Sequence, residues 1–354
     1  MKTVYVGLSG GVDSSVSALL LKEQGFHVVG VYMKNWSQDL PGMKCPWKED
    51  YQDAKRVAVQ LGIEFKVYDF EKDYFDKVVK YMLQGYETGF TPNPDIMCNQ
   101  EIKFKLFLET ALRGGADYIA TGHYAKVKNG QLLTAKDGNK DQTYFLHRVD
   151  STALSKTLFP LGGLTKPEVR ALAKKASLVT ADKKESMGIC FVGKVSIKDF
   201  LKQYIKETPG KIIDQKGLTL GEHDGAFFYT IGQRHGLGTG GRLPAGRQGG
   251  LPFYVVGKDI KKNEIHVTTD LQDNRLWNNQ IKLTGIHWIN SQPQKDQELF
   301  VRTRHRAKLI TVKKLNRSSN FWSADLEEDV RALTPGQSAV FYSDDQCLGG
   351  GIVV

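Results

Sequence analysis

The sequence predicts an α/β N-terminal domain on a parallel sheet, a small helical central domain and a C-terminal all-β, barrel-like domain. Three observations predict it. Apolar strands alternate with amphipathic helices from residue 3 to about 125, helical spacing replaces them between roughly 150 and 205, and short apolar runs punctuated by glycine fill the rest. At 354 residues the chain exceeds one ordinary domain, so two or three units with their own cores are expected. The expected boundaries are 1–150, 151–206 and 207–354.

Val4 to Leu8 reads as the first strand, with a helix through Lys22 behind it. His27 to Met33 is the second strand, Ala54, Val57, Ala58 and Leu61 lie at helical spacing, and Phe65 to Tyr68 is the third strand. Phe104, Phe107, Leu108, Ala111 and Leu112 mark a further helix that stops at Gly114-Gly115, before the strand Tyr118-Ile119-Ala120. This is a nucleotide-binding type of architecture. In the connector, Thr165-Lys166-Pro167-Glu168 supplies an N-cap, a first-turn proline and a capping-box glutamate, and Val169, Leu172, Ala173 and Ala176 share one face. Beyond about 206, runs such as Phe227-Phe228-Tyr229, Phe253 to Val256, Leu299 to Val301 and Ile352 to Val354 suit an all-β module.

A net charge of +10 favours a polyanionic partner such as nucleic acid. Val301 to Lys308 strengthens that expectation. As a strand it would project Arg302, Arg304, Arg306 and Lys308 from one face, a row suited to RNA phosphates. Cys45, Cys98, Cys190 and Cys347 lack paired short spacings, which argues against a disulfide scaffold and a CxxC metal site, so no metal centre is expected and a cytoplasmic setting is. No apolar run approaches the ~18 residues of a membrane span, and neither a signal peptide nor membrane association is expected.

GLSGGVDSSVS, residues 7 to 17, joins the first strand to the first helix. Such a turn gathers backbone N–H groups and the positive end of a helix at one point, where anions bind. Glycine permits close approach of a phosphate, and Ser9, Ser14 and Ser15 offer hydroxyl donors. No lysine follows to complete GxxxxGK[ST], and GxGxxG also fails. Asp13 is left with a Mg²⁺ bridge or a helix-capping role. SGGVDS resembles the pyrophosphate-binding loop of the PP-loop ATP pyrophosphatases, which break ATP between the α and β phosphates and transfer AMP to an oxygen.

Two cysteines add to this loop. Cys98 follows Asn93-Pro94-Asp95 just before a helix whose N-terminus is expected to lower the thiol pKa, with Asp95 placed to handle a proton. Cys190 lies in Glu185-Ser186-Met187-Gly188-Ile189-Cys190-Phe191, where Gly188 can kink the backbone and expose the sulfur. A thiol pair beside an ATP-activating loop suggests sulfur chemistry, one sulfur delivering and the other resolving through a disulfide.

With SGGVDSSV, the motifs PNPDIMCNQEIKF, ATGHYA, KDQTYFLH, ESMGICFVG, TIGQRHGLG and PGQSAVFYSDDQCLGGGI resemble the bacterial tRNA-specific 2-thiouridylases almost end to end. The resemblance implies ATP- and Mg²⁺-dependent 2-thiolation of the wobble uridine of tRNA, releasing AMP and pyrophosphate. It implies persulfide sulfur from a cysteine desulfurase or sulfur-relay protein. ATP would lie on Gly7, Leu8, Ser9, Gly10, Gly11, Val12, Asp13 and Ser14, on the backbone at Met33 and on Gly122. Cys190 would hold the persulfide, Cys98 would be the nucleophile that forms a transient disulfide with it, and Asp95 would act in acid/base catalysis. Asn93, Pro94 and Asp95 would border the target base, and His123, Lys140, Asp141, Gln142, Arg304, His305 and Gln337 would face tRNA. His235 and His305 stand where the family commonly has lysine and tyrosine, and 241–250 is longer than its glycine turn. A ligase with the same loop is the rival enzyme class, but no glutaminase region accompanies it. A silent RNA-binding protein would not need Ser9 to Ser14, Asp95, Cys98 and Cys190 together.

Overall fold

The computed structural model describes residues 1–39, 45–184, 196–237 and 252–354. Cys190 and the 241–250 stretch lie outside the described residues. Seven strands form early in the chain: β1 (Thr3–Gly7), β2 (His27–Lys34), β3 (Glu64–Asp69), β4 (Tyr118–Ala120), β5 (Lys126–Lys128), β6 (Gln131–Leu133) and β7 (Thr157–Leu158). Five of them make a parallel sheet in the order β3-β2-β1-β4-β7. Its central strands are near-continuous apolar runs because both faces are covered. Helices α1 (Val12–Glu23) and α2 (Trp47–Leu61), with the helix Lys166–Lys175, cover one face through Val16, Leu21, Val57, Leu61 and Val169. The other face meets two longer helices, at 71–87 and 94–113, through Tyr74, Val78, Ile102 and Phe107. Each of these contains a widely wound stretch, Phe75–Val79 and Cys98–Phe107, in which hydrogen bonds span five residues.

The capping box forms as its spacing predicts: Thr165 accepts from the Glu168 N–H, and the Glu168 carboxylate accepts from the Thr165 N–H at 2.6 Å. Strands do not disappear after residue 150, however. β7 pairs with β4 through Ile119↔Thr157 and Ala120↔Leu158, two residues being too few to show a period.

Four strands, β8 (Gly210–Ile213), β9 (Thr219–His223), β10 (Tyr254–Asp259) and β11 (Glu264–Thr268), form a separate sheet ordered β10-β11-β8-β9. The Phe227-Phe228-Tyr229 run is not a strand. Ala226–Phe228 winds as a single tight turn that buries Phe228 and Tyr229. The last unit is antiparallel: β12 (Trp277–Trp288), β13 (Phe300–Arg302), β14 (Ile310–Arg317), β15 (Trp322–Arg331), β16 (Ser338–Ser343) and β17 (Gln346–Val353). β12 pairs with both β15 and β17, which closes a barrel. The β5–β6 hairpin joins the same sheet, with Leu133 opposite Gln346 and Leu132 opposite Cys347.

The expected basic strand is a correction. β13 ends at Arg302, the Ala307 N–H donates to the Arg304 carbonyl at 3.0 Å, and Arg306 has φ +63°. The four cations therefore diverge. Arg302 lies 3.6 Å from the Asp141 carboxylate, Arg304 donates to the Ala332 carbonyl at 2.6 Å, and Lys308 pairs with Glu328 at 2.8 Å. No helix among the described residues is long and apolar enough to cross a membrane.

Candidate active site

The strand order of the first sheet reverses between β1 and β4, and the crevice at their carboxyl ends is where such sheets bind ligands. α1 starts there with Gly11 as its N-cap and no side chain capping it, so its first-turn N–H groups face the crevice. Gly10 has φ +74°, and a Cβ on it would lie 2.3 Å from the Asp50 carbonyl oxygen, so only glycine lets the loop press on α2. A Cβ on Gly122 would lie 2.8 Å from the Ser14 nitrogen, so the end of β4 closes on the start of α1. The Ser9 and Ser14 hydroxyls are 3.2 Å apart. Ser15 is committed elsewhere, donating to the Gly11 carbonyl at 2.8 Å and accepting from Thr180. The side chain of Leu8 is buried in the core.

Gly7, Ser9, Gly11, Val12, Asp13, Ser14, Met33 and Gly122 line a cavity of about 360 Å³. Its charged lining is Lys103, Lys140, Lys166, Lys183, Lys184 and Arg306 against the carboxylates Asp13 and Asp50. Six cations against two acids, beside an open helix N-terminus, make an anion site. Lys166 is the residue that sequence reasoning missed. Its ammonium lies 2.8 Å from both Asp13 oxygens, and the Tyr124 hydroxyl donates to Asp13 Oδ1 at 2.9 Å. Asp13 thus neither caps α1 nor stands alone for a metal; it holds a lysine that the loop itself lacks. The capping box was the available signal, since it fixes Lys166 in a first helical turn, but nothing local shows that turn facing residue 13. Lys183 pairs with Asp50 and Asp53 of α2 at 2.8 and 2.6 Å.

Asn93 caps the helix that carries Cys98, its Oδ1 accepting from the Asp95 and Ile96 N–H groups at 3.1 and 3.4 Å. Pro94 follows in the first turn. Cys98 is fully buried, and this reverses the expected acidity. Burial pushes the thiol pKa up and the Asp95 carboxylate adds to it, against the Lys103 charge and the Tyr74 hydroxyl. Lys103, five residues on in the widely wound stretch, also lines the anion cavity, so the charge that opposes the rise in the thiol pKa stands in the cavity wall.

His123 is buried against Phe104 and Phe159, its Nδ1 is 2.8 Å from the Thr121 hydroxyl, and burial pushes its pKa well down. It lines the cavity as a neutral ring. Lys140 and Gln142 line the cavity too, while Gln142 Oε1 accepts from the Tyr124 N–H at 3.0 Å. Asp141 turns inward, accepting from the Ala135 N–H and the Thr143 hydroxyl at 3.0 and 2.7 Å. His305 and Arg306 reach the cavity from the barrel, and burial pushes the His305 pKa down to about 4. Gln337 donates through Nε2 to the Thr91 carbonyl at 2.6 Å.

Family models match in three consecutive parts: a tRNA methyl transferase HUP domain over residues 2–194, a tRNA methyl transferase PRC-barrel domain over 198–269 and an aminomethyltransferase beta-barrel domain over 278–353. The chain is 47% identical over 356 residues to the tRNA-specific 2-thiouridylase MnmA of Bacillus subtilis and 47% identical over 360 residues to that of Streptococcus sanguinis. It is 48% identical over 355 residues to that of Listeria monocytogenes, and each of the three alignments covers 99% of this chain and 94% of the relative. A solved 4-thiouridine synthetase–RNA complex with bound ATP aligns over 57% of this chain and 50% of that chain, with 18% identity and a TM-score of 0.37, too distant to bear on the site. From the near-complete coverage at this level of identity, the chain belongs to the tRNA-specific 2-thiouridylase family.

Proposed function

We propose that this chain catalyses the ATP-dependent 2-thiolation of the wobble uridine of tRNA. The observation that carries the reading is the cation-lined cavity at the start of α1, with Lys103 of the Cys98 helix in its lining. The triphosphate of ATP fits the first-turn N–H groups, the Ser9 and Ser14 hydroxyls and Lys166. Mg²⁺ would enter with ATP and be held chiefly through phosphate oxygens, since Asp13 and Asp50, the carboxylates lining the cavity, are paired with Lys166 and Lys183. It would supply charge neutralisation on the phosphates. No group of three or more potential metal ligands gathers among the described residues.

The base leaves the anticodon stack to reach the crevice. Its C2 oxygen attacks the α-phosphorus of ATP, a new P–O bond forms, and pyrophosphate departs with the electrons of the broken one. C2 then carries AMP as leaving group. The terminal sulfur of a Cys190 persulfide, supplied by a cysteine desulfurase or relay protein, forms the C–S bond and AMP departs. Cys98 attacks the inner sulfur, either after that bond forms or to release hydrosulfide before it, and both orders leave a Cys98–Cys190 disulfide for an external thiol to reduce. Burial holds Cys98 as the thiol at rest, so this attack follows a rearrangement on substrate entry, with Asp95 as the nearby proton acceptor. Asn93 and Pro94 border the base, and His123, Lys140, Asp141, Gln142, Arg302, Arg304, His305, Arg306 and Gln337 make up the tRNA-binding side, Asp141 by holding Arg302.

The test is incubation with ATP, Mg²⁺, a persulfide donor and wobble-uridine tRNA, reading thiolated nucleoside. Cys98→Ser and Cys190→Ser are each expected to abolish product while leaving tRNA affinity nearly intact. Product at the parental rate from either variant overturns the assigned roles.

A further inference from the structure

We infer that Gln337 is a positioning residue: the barrel turn Pro335-Gly336-Gln337 is a built part of the catalytic loop's support, and holds the segment from Thr91 to Cys98 in place before any RNA arrives. The inference rests on the thiolation reading for the loop's role, though not for the contact. Both backbone polar groups of Thr91 are taken by this turn. The Thr91 N–H donates to the Pro335 carbonyl at 2.8 Å, and Gln337 Nε2 donates to the Thr91 carbonyl at 2.6 Å. Gly336 sits between them with φ +94°, and a Cβ there would lie 2.5 Å from the Thr91 nitrogen and 2.9 Å from Phe90 Cβ. Glycine is therefore required for contact as much as for conformation.

The turn is itself pinned to the end of β17. The Gly336 N–H donates to the Val353 carbonyl, and the Val353 N–H donates to the Gln337 carbonyl, both at 2.9 Å. Thr91 Oγ1 adds a contact at 3.3 Å to Thr230 Oγ1 in the second β unit, so three units of the fold meet at one backbone position. Two residues later Asn93 caps the Cys98 helix. The far end is tied as well: Asn99 Nδ2 donates to the Phe145 carbonyl at 3.0 Å, and Arg148 bridges Gln100 Oε1 to the Gly285 carbonyl of β12 at 2.6 and 2.9 Å. The thiol is thus suspended between two barrel attachments, and the Gln337 amide is the side-chain donor in the one nearer Asp95.

Gln337→Met keeps the length and loses the donor. Without tRNA or ATP, alkylation of Cys98 by iodoacetamide, resolved by peptide mass, is expected to accelerate about three- to tenfold, the opening expected when one such hydrogen bond is lost. Cys347, buried in the barrel, is the internal reference and should label at the parental rate. Single-turnover thiolation at saturating tRNA should fall, and Gly336→Ala should reproduce both effects. Unchanged Cys98 labelling in both variants overturns the proposal and leaves Gln337 a plain RNA contact. Equal acceleration at Cys347 also overturns it, since the barrel as a whole would then be loosened. Faster Cys98 labelling in a protein whose parent does not thiolate tRNA sustains the positioning claim and removes the proposed function.

Discussion

Lys166→Met isolates the cation that the anion loop borrows from another helix. A unit charge about 4 Å from a phosphate oxygen, at an effective dielectric near 20, is worth about 4 kcal/mol. The Lys166 side chain is only 11% exposed, so solvent screens little of this. Asp13 at 2.8 Å already takes part of the lysine's charge, and assigning half to the phosphates leaves about 2 kcal/mol. At 1.36 kcal/mol per tenfold, kcat/KM for ATP should drop about 30-fold. The freed Asp13 carboxylate then faces the triphosphate, which deepens the loss. The assay is tRNA-dependent pyrophosphate release across an ATP series, with unchanged circular dichroism and tRNA affinity as controls. Lys166→Arg, which keeps the charge on a longer fork, should recover most of the rate. A Lys166→Met enzyme within about threefold of the parent refutes the Coulomb argument, and with it the claim that Asp13 serves to aim a lysine.

Thr165→Ala removes the hydroxyl half of the capping box and should cost about 1 kcal/mol in urea unfolding; a rise in KM for ATP should accompany it, since Lys166 is the next residue, and an unshifted urea midpoint would contradict the cap's role. His147 is fully buried, donates through Nδ1 to the Tyr144 carbonyl at 2.9 Å, and has its pKa pushed down to about 3 by burial. Below pH 6.5 the unfolded chain takes a proton that the folded one refuses, so stability present above that pH is lost as pH falls toward the folded value, by about 2 kcal/mol at pH 5. His147→Gln should therefore flatten the stability profile between these pH values, read from urea midpoints; an unaltered slope places the acid sensitivity elsewhere.

What could be read from the chain was local. The glycine and serine turn at residues 7 to 17 and the Thr165–Glu168 box each depend on neighbours within a few residues, and both form as their spacing requires. Readings that depended on distant partners fared differently. Arg302 to Lys308 has the alternation of a strand, yet Arg304 bonds the Ala332 carbonyl and Arg306 adopts a positive φ, so a turn wins without any glycine, proline or asparagine to announce it. Helix-terminus electrostatics argued for an acidic Cys98, but full burial outweighs that effect. Lys166 reaches Asp13 across 153 positions, a pairing that no periodicity encodes.

The hairpin at residues 126–133 leaves the ribosome long before β17, the strand that completes its sheet. Until residue 347 emerges, the strand that carries Leu132, which ends fully buried, has only its own hairpin mate as a hydrogen-bonded neighbour. A nascent chain stalled or cleaved short of the final strand therefore presents an open β edge, and such edges recruit other chains. Shortened versions ending before β12 should prove sticky for this reason even when their nucleotide-binding half has folded.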